Sequence, residues 1–439
     1  MPLSRDRERG FDAAAESRTY MSSTIAMLLL GLGTLLVGNG LLGTLLGIRA
    51  RLEGFTNTAI GTLMAAYFLG YVAGTFLVPA LIRRVGHIRT FAALAAMGSV
   101  SALCYGLIVH PAAWAVLRMI TGIAVLGVYM VVESWLNEQA PHHIRSQVFA
   151  IYMVVTLVSL AAGQYLILTG DTGALVLFAI ASILFTLGLM PIATTRIHAP
   201  QPQAYSSVSL LHLFWLAPLA ACGAFIAGIV SGAFWSLGAV FAQRMGLPEE
   251  GIALFMSATI IGGALLQWPI GRLSDRYGRR FILTTVSFAA ALVVLLALQV
   301  MYESLAALIA CAFLYGGLMF SIYSLSVALM NDRLSAPGDV LDATRGLLLI
   351  FGIGSIAGPA IGGPLMDGFG PGTIPAYSAA WLGLLGLLGL MRLVLAKPIP
   401  LIQQGRFVLM VRTTPVALEM LPQTDVQPEL DLPLPSKDS

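Results

Sequence analysis

The sequence has few charged residues: only 10% of its 439 residues are Asp, Glu, Lys or Arg. Soluble globular domains carry roughly a quarter charged residues. Hydrophobic residues make up 58% of the chain, and the mean hydropathy is +0.86. A soluble fold could not bury that much apolar surface, so the composition predicts an integral membrane protein.

Cysteine is also scarce. Cys104, Cys222 and Cys311 each lie alone in an apolar stretch, which excludes a disulfide framework and a cysteine-based metal site. His142 and His143 are neighbours in one loop without other ligands near them in sequence, so we expect no metal. The net charge of +3 is too small to indicate a nucleic-acid partner.

Motifs for catalysis or nucleotide binding are lacking as well. The glycines of GNGLLG at 38–43 match a dinucleotide fingerprint, but they lie in the middle of an apolar run without a preceding strand. Close packing of helices explains them better. The sequence has no phosphate-binding loop and no pairing of a nucleophile with a base. We therefore expect that the protein is not an enzyme, binds no cofactor and does not use ATP to drive its activity.

Long apolar runs dominate the chain. A helix needs roughly 20 mostly apolar residues to cross the hydrocarbon layer of a membrane. Twelve runs qualify, which predicts an all-α membrane protein with twelve transmembrane helices, at residues 24–48, 58–82, 90–109, 112–136, 146–169, 173–192, 214–241, 251–270, 281–300, 304–330, 341–366 and 373–395. The segment 1–22 precedes them, and a tail rich in proline and acids, 396–439, follows and is predicted to be mostly unfolded.

Arginines cluster on one side of this topology. Short cytoplasmic loops are enriched in Lys and Arg. The arginines before span one and those after spans two, four, six, eight and ten share one side, whereas the other side has only Arg49, Arg51 and Arg244. We therefore expect a multi-pass membrane protein with both termini in the cytoplasm.

The chain repeats itself at an offset of 192 positions. The stretch AIGTLMAAYFLGYVAGTFLVPALIRRVGHIR at 59–89 aligns without a gap with GIALFMSATIIGGALLQWPIGRLSDRYGRRF at 251–281, so Met64 falls on Met256. Parallel duplications place a substrate cavity between two halves that rock against each other. The repeat predicts two six-helix bundles, at 23–192 and 214–395, and a cytoplasmic central loop between them at 193–213.

The turn GRLSDRYGRR resembles the signature turn of the major facilitator superfamily. The matching positions are Gly271, Leu273, Asp275, Arg276, Gly278, Arg279 and Arg280. Other segments are similar to patterns of the same family: NEQAPHHIRS after span four, WAVLRMITGIA in span four and GIGSIAGPAIGG in span eleven. Together with VVESWL and AAGQYL, the turn resembles the YcaD-like branch of bacterial permeases, which implies a place in the bacterial inner membrane. The resemblance implies the family's fold of two six-helix pseudo-repeats.

The resemblance also implies that this turn latches the two halves together on the cytoplasmic side. A weaker copy would follow span two, with Arg84 and Gly86, and the turn after span four would contribute Glu138 and Arg145. In the first copy, Arg83 stands where the second has an aspartate, so the two copies are not equivalent. The alternative is that the arginines of the turn only set topology and contact lipid phosphates.

Span four contains two ionisable residues, Arg118 and Glu133, which are expensive inside a membrane and are functional candidates. Fifteen residues separate them, which is roughly 22 Å along a helix and too far for a direct ion pair. Burial disfavours the charged form of a carboxyl group. Glu133 therefore suits either proton carriage or a structural pair with an arginine at the cytoplasmic mouth, and both interpretations stay open.

Arg118 has two interpretations as well. As the resemblance to the family's span-four pattern implies, it would bind an anionic group of the substrate or tune a proton site. Alternatively it is an arginine whose head extends to the nearby outer surface. In the family, spans one, four, seven and ten surround the cavity, so polar and aromatic residues of these spans are candidates for its lining, each of them also a plausible packing residue: Asn39, Tyr129, Trp235, Ser236, Tyr315 and Tyr323, and more weakly Tyr67, Tyr71, Tyr152 and Gln164.

The sequence thus predicts a secondary active transporter that moves a small molecule by alternating access and is coupled to protons. We expect it to work as a monomer among membrane lipids. The alternative is a transporter-like membrane sensor or scaffold that binds a ligand without moving it. That alternative would need a signalling domain or a partner surface, for which the tail is a short candidate.

Overall fold

The structure is a computed structural model of the chain. It describes residues 3–141, 144–194, 209–334, 337–395 and 407, and among these it describes side chains except at 3–22, 337–338 and 341. Most of the predicted central loop, and the predicted unfolded tail apart from Phe407, lie outside the described residues.

The described residues form thirteen α-helices and a 3₁₀ turn, with no strand among them. Twelve of the helices are long and apolar enough to cross a membrane, which confirms the predicted number of spans. The first half of the molecule consists of α1 Leu3–Leu52, α2 Asn57–Val85, α3 His87–Leu107, α4 Pro111–Gln139, α5 Arg145–Tyr165 with the 3₁₀ turn Leu166–Thr169, and α6 Val176–Ala193. A short helix, α7 Leu210–Leu216, leads into the second half: α8 Pro218–Arg244, α9 Glu249–Tyr277, α10 Arg279–Val300, α11 Leu305–Asn331, α12 Pro337–Phe369 and α13 Thr373–Leu395.

The internal repeat appears as a repeated backbone turn. Gly86 breaks the chain between α2 and α3 with φ of 84°, and Gly278 breaks it between α9 and α10 with φ of 91°. Residues with a side chain rarely adopt positive φ, so glycine is needed at both points. The two glycines occupy equivalent positions of the two copies, which gives the halves the same sharp connection between their second and third spans.

The helices alternate in direction, so the membrane bundle has two ends. The end at which α13 finishes is termed the terminal end here, and the opposite one is termed the far end. Helix α2 of the first half packs against α12 of the second, and α5 packs against α9 in the same way. These contacts form the interface between the halves.

Close approach of α2 to α4 depends on glycine. A Cβ atom on Gly122 would lie 2.1 Å from the carbonyl oxygen of Tyr67, and one on Gly70 would lie 2.0 Å from that of Met119. Neither position has room for a methyl group unless the helices separate. Small residues are commonly used in this way where membrane helices pack closely.

We expect Gly122→Ala to lower the unfolding temperature of the detergent-purified protein, because the added methyl group must push α2 away from α4. Overpacking of this kind costs about 1–3 kcal/mol. Gly383→Ala is the matched control, since a Cβ there meets nothing within 4 Å. Thermal unfolding followed by tryptophan fluorescence checks this, and equal unfolding temperatures for the two variants would contradict it.

Candidate functional site

A narrow cavity lies between the two halves. Both contribute to its lining, which consists of Asn39, Gly40, Gly43, Thr44, Met64, Tyr67, Phe68, Arg118, Leu160 and Gln164 from the first half and Trp235, Ser236 and Met256 from the second. Measured with a water-sized sphere, its volume is about 30 Å³, which is room for about two water molecules. The halves must therefore move apart before a larger molecule can enter.

Arg118 brings positive charge to this cavity. Its side chain is only 4% exposed. Its Nη2 atom lies 2.8 Å from the Met64 sulfur, and the guanidinium carbon lies 5.1 Å from the centre of the Tyr67 ring, within the range of a cation–π contact. Arg118 is the charged member of the described lining, and it faces the interior of the protein rather than extending to the outer surface.

The Gln164 carboxamide forms a polar wall of the cavity. It accepts a hydrogen bond from the Thr44 hydroxyl, and its nitrogen donates to the carbonyl oxygens of Gly40 at 3.2 Å and Leu160 at 3.1 Å. The bonds to Thr44 and Gly40 hold α5 against α1. On the opposite side, the Trp235 ring stacks on Phe320 with an interplanar angle of 20° and a centroid distance of 6.0 Å. The cavity thus combines a cation, amide and hydroxyl groups, and aromatic faces.

The structure brings some of the predicted lining residues together and separates others. Asn39, Arg118 and Trp235 surround the cavity. Tyr315 instead lines a crevice within the second half, and the Tyr323 ring packs 4.9 Å from that of Phe351. Neither these two tyrosines nor Tyr129 belongs to the lining of the central cavity.

Two lining residues that the sequence analysis did not propose are Met64 and Met256. They occupy equivalent positions of the internal repeat, in α2 and α9. Methionine in an apolar helix is indistinguishable from ordinary core by composition, but the pairing of two methionines across the repeat was a signal that could have identified them.

Glu133 is fully buried in the first half, near the terminal end of α4. Its carboxyl group accepts a hydrogen bond from the Tyr152 hydroxyl. Tyr129 and Tyr71 lie close enough to Tyr152 to interact with it electrostatically. Two of the arginines predicted as possible partners, Arg83 and Arg84, are exposed. The carboxyl group therefore lies in a cluster of tyrosines on the terminal side of the cavity.

The signature turn is anchored within the second half. The Arg279 side chain is 2% exposed, its Nη1 atom lies 2.8 Å from the Asp332 carboxylate, and its Nη2 atom lies 3.7 Å from that of Asp275. Arg279 also donates a hydrogen bond to the Ala328 carbonyl oxygen. These contacts tie the turn between α9 and α10 to the end of α11.

Asp275 also contacts the C-terminal tail. Its carboxylate accepts a hydrogen bond from the Phe407 backbone N–H, at 3.1 and 3.2 Å to its two oxygens. The Phe407 ring lies against Gly271, where an added Cβ would meet a ring carbon at 2.1 Å. The contacts that the structure gives for Asp275 thus lie in the second half and the tail, and a latch across the halves stays a prediction.

The other predicted gate residues lie at the same end. Arg84 and Glu138 are exposed, as are Leu273 and Arg276 of the signature turn. Arg145 donates from its Nε atom to the Ala140 carbonyl oxygen at 3.2 Å. This last bond braces the turn between α4 and α5.

A clamp at the far end joins the two halves directly. The Asp367 carboxylate, at the end of α12, accepts hydrogen bonds from the backbone N–H groups of Asn57 at 3.0 Å and Thr58 at 2.7 Å, and from both of their side chains. It thereby caps the N-terminus of α2, where a negative charge is favourable. Thr172 donates to Glu249 at 3.0 Å, which adds a further bond across the halves at this end.

The clamp was missed by the sequence analysis. Asp367 directly follows the predicted eleventh span, 341–366, and lies between it and the predicted twelfth. Its partners, Asn57 and Thr58, lie at the boundary of the second span. The signal for a contact between such distant segments lies in the tertiary fold rather than in local sequence.

Comparison with known proteins identifies relatives of this chain. The sequence model of the Major Facilitator Superfamily matches residues 20–347 and 220–407. The uncharacterized MFS-type transporter YcaD of Escherichia coli strain K12 is 28% identical over 353 residues, which cover 80% of this chain and 91% of that protein. The YcaD protein of Escherichia fergusonii is 27% identical over 345 residues, with 78% and 89% covered.

Solved structures show the same fold. The nucleoside transporter NupG matches with a TM-score of 0.70 at 16% identity, over 85% of this chain and 100% of that one. A bacterial homolog of the human lysosomal transporter Spinster, in an inward-facing and unoccupied conformation, matches with a TM-score of 0.64 at 15% identity, over 91% and 97%. The resemblance carried by GRLSDRYGRR is confirmed. With twelve spanning helices and a family match over most of its length, this multi-pass membrane protein belongs to the Major Facilitator Superfamily.

Proposed function

We propose that the chain is a proton-coupled secondary active transporter that carries a small molecule with an anionic group by alternating access. Its membership of the superfamily and the MFS-type transporters among its relatives support transport. The observation that carries the choice of substrate class is Arg118, buried in the lining of the cavity between the halves.

Arg118 selects for a carboxylate or phosphate group. The guanidinium presents a planar fork of donors that matches two oxygen atoms of such a group, and hydrogen bonds between charged partners are about twice as strong as neutral ones. Asn39 and Ser236 offer hydrogen bonds to the rest of the molecule, while Tyr67 and Trp235 offer aromatic faces. This lining suits a small amphipathic acid.

In this mechanism the cavity opens to one side of the membrane at a time. With the Asp367 clamp formed, the halves are held together at the far end. Release of this clamp is the step that would expose the cavity to the far side. Substrate binding to residues of both halves would favour its closure again, because a ligand stabilises the conformation that it binds best.

We expect Asp367→Ala to speed the labelling of the cavity from the far side about tenfold, because the clamp loses its charge-assisted bonds to the N-terminus of α2. The reporter is Ser236→Cys, in a protein whose three cysteines are replaced, labelled with a membrane-impermeant thiol reagent. Asp171→Ala is the matched control, since this exposed aspartate accepts its bond from Gly173 in its own loop. Equal labelling rates with and without the clamp carboxylate would refute this role.

Glu133 is the proposed carrier of the coupling proton. It is a fully buried carboxyl group on the terminal side of the cavity, in hydrogen-bond contact with Tyr152. A buried carboxyl can bind a proton when its surroundings are dry and release it when access changes. Since Arg118 lies on the same helix, protonation and anion binding can influence each other through α4.

The terminal end is proposed to face the cytoplasm of a bacterial cell, with the protein in the inner membrane. Arg83, Arg84, Arg89, Arg272 and Arg276 are all exposed at this end. Such an excess of exposed arginines is typical of cytoplasmic loops.

The proposal is tested with purified protein in liposomes that contain a pH-sensitive dye. The panel pairs organic acids with their neutral amides or esters, and includes amino acids, sugars and cationic drugs. The expected result is proton movement that depends on a carboxylate and is absent with its amide. Equal proton movement with both members of a pair would contradict the anionic substrate class, and a panel without any proton movement would contradict proton coupling.

A further inference from the structure

A second cavity lies at the terminal end of the second half, away from the central one. Its volume of about 530 Å³, measured in the same way, is much larger. Its lining combines three arginines with apolar residues from α7, α8 and α11, and the described lining includes no acidic side chain. The arginines are Arg280, Arg333 and Arg392.

The three guanidinium groups are held near one another. Arg280 is 9% exposed, and its guanidinium group is repelled by the positive charges of Arg333 and Arg392. Arg333 is fixed by a hydrogen bond from Nη1 to the Leu216 carbonyl oxygen at 2.9 Å. Like charges around one cavity repel each other, so this arrangement is favoured by an anion that binds between them.

The surroundings distinguish a lipid from a soluble anion. Helix α7 exposes Trp215 at 79% and Leu211 at 67%, next to the cavity that both residues line. Tryptophan is enriched where a membrane meets water. The same helix is held to the bundle by Leu213, which is 2% exposed and lies against Gly346. An apolar surface therefore adjoins the arginines at the terminal end of the bundle.

The adjacent arginines of the signature turn thus have different surroundings. Arg279 points into the second half toward Asp332, whereas Arg280 lines the second cavity. At that cavity Arg280 meets the guanidinium groups of Arg333 and Arg392. An anion bound between the three groups would offset their mutual repulsion.

We propose that this cavity is a binding site for an anionic phospholipid, with its phosphate between Arg280, Arg333 and Arg392 and an acyl chain along Trp215 and Leu211. Basic pockets between membrane helices on the cytoplasmic side are suited to such headgroups. Bidentate contacts of arginine with phosphate oxygens add geometric selectivity. The site is separate from the central cavity and does not depend on the proposed transport.

The test is native mass spectrometry of the full chain, titrated with phosphatidylglycerol and with phosphatidylcholine of the same acyl chains. We expect phosphatidylglycerol to bind about tenfold more tightly, and Arg333→Gln/Arg392→Gln to remove that preference. The lysine pair Arg333→Lys/Arg392→Lys should keep most of it. Arg83→Gln/Arg89→Gln, which removes two exposed arginines of the first half, should keep all of it.

Because Arg333 also bonds to α7, Arg392→Gln alone serves as the variant least able to disturb the fold, with an expected loss of about fivefold. Unchanged phosphatidylglycerol binding in this variant and in the double glutamine variant would overturn the proposal. An equal loss in Arg83→Gln/Arg89→Gln would also overturn it, since bulk charge would then suffice. Displacement of the lipid by inorganic phosphate at an equal concentration would assign the site to a soluble anion instead.

Discussion

Arg118→Gln is expected to lower the affinity for the transported acid by about 30-fold or more and to reduce its uptake to background. The guanidinium lies 4% exposed in the cavity lining, where glutamine can offer only a neutral hydrogen bond. Loss of one partner from a buried charge pair costs about 2–5 kcal/mol, and every 1.4 kcal/mol is about tenfold in affinity. Binding to purified protein and uptake into liposomes measure the two effects.

Two controls separate a role in binding from a role in folding. Arg118→Lys keeps the charge but lacks the planar fork, so we expect an intermediate affinity. The unfolding temperature of each variant, without substrate, reports on the fold. If Arg118→Gln bound the acid as tightly as the unchanged protein, the anion would bind elsewhere and the proposed substrate class would lose its basis.

Glu133→Gln is expected to abolish substrate-dependent proton movement while leaving substrate exchange across the membrane. Glutamine has nearly the same shape and its oxygen can still accept the bond from Tyr152, but it cannot bind and release a proton. Exchange of labelled for unlabelled substrate needs the conformational change but no net proton transfer. The dye-loaded liposomes measure the proton, and exchange is followed with labelled acid in parallel.

The matched control for this second variant is Glu250→Gln, which alters an exposed carboxyl group in the first turn of α9. It should leave both proton movement and exchange unchanged. Proton movement that persisted in Glu133→Gln would return Glu133 to the other interpretation, a structural pair near the cytoplasmic mouth. Loss of both activities together would also count against a role confined to coupling.

Much of the fold could be predicted because its determinants are local. The length of each apolar run fixes the number of spans, and Gly86 and Gly278 mark the same turn in both copies since each adopts positive φ. Arg118 was identifiable because a charge inside an apolar run is expensive. Asn39 and Trp235 were identifiable from the resemblance, which places spans one and seven at the cavity.

Other parts of the site depend on contacts between distant segments. Met64 and Met256 have the composition of ordinary core residues, and only the folded halves bring them to one cavity. Asp367 appears in the sequence as a loop residue, yet it caps a helix of the other half. The contact between Phe407 and Gly271 joins the tail to the signature turn, which no local pattern could indicate.

The most direct test of proton-coupled transport is accumulation of a labelled acid, chosen from the dye-based panel, in liposomes with an imposed pH gradient. Proton coupling predicts an internal concentration of the acid above the external one, which falls to equality when a protonophore removes the gradient. Equal concentrations with the gradient intact would contradict proton coupling. Binding of the acid to the protein without any entry would contradict transport and favour a sensor.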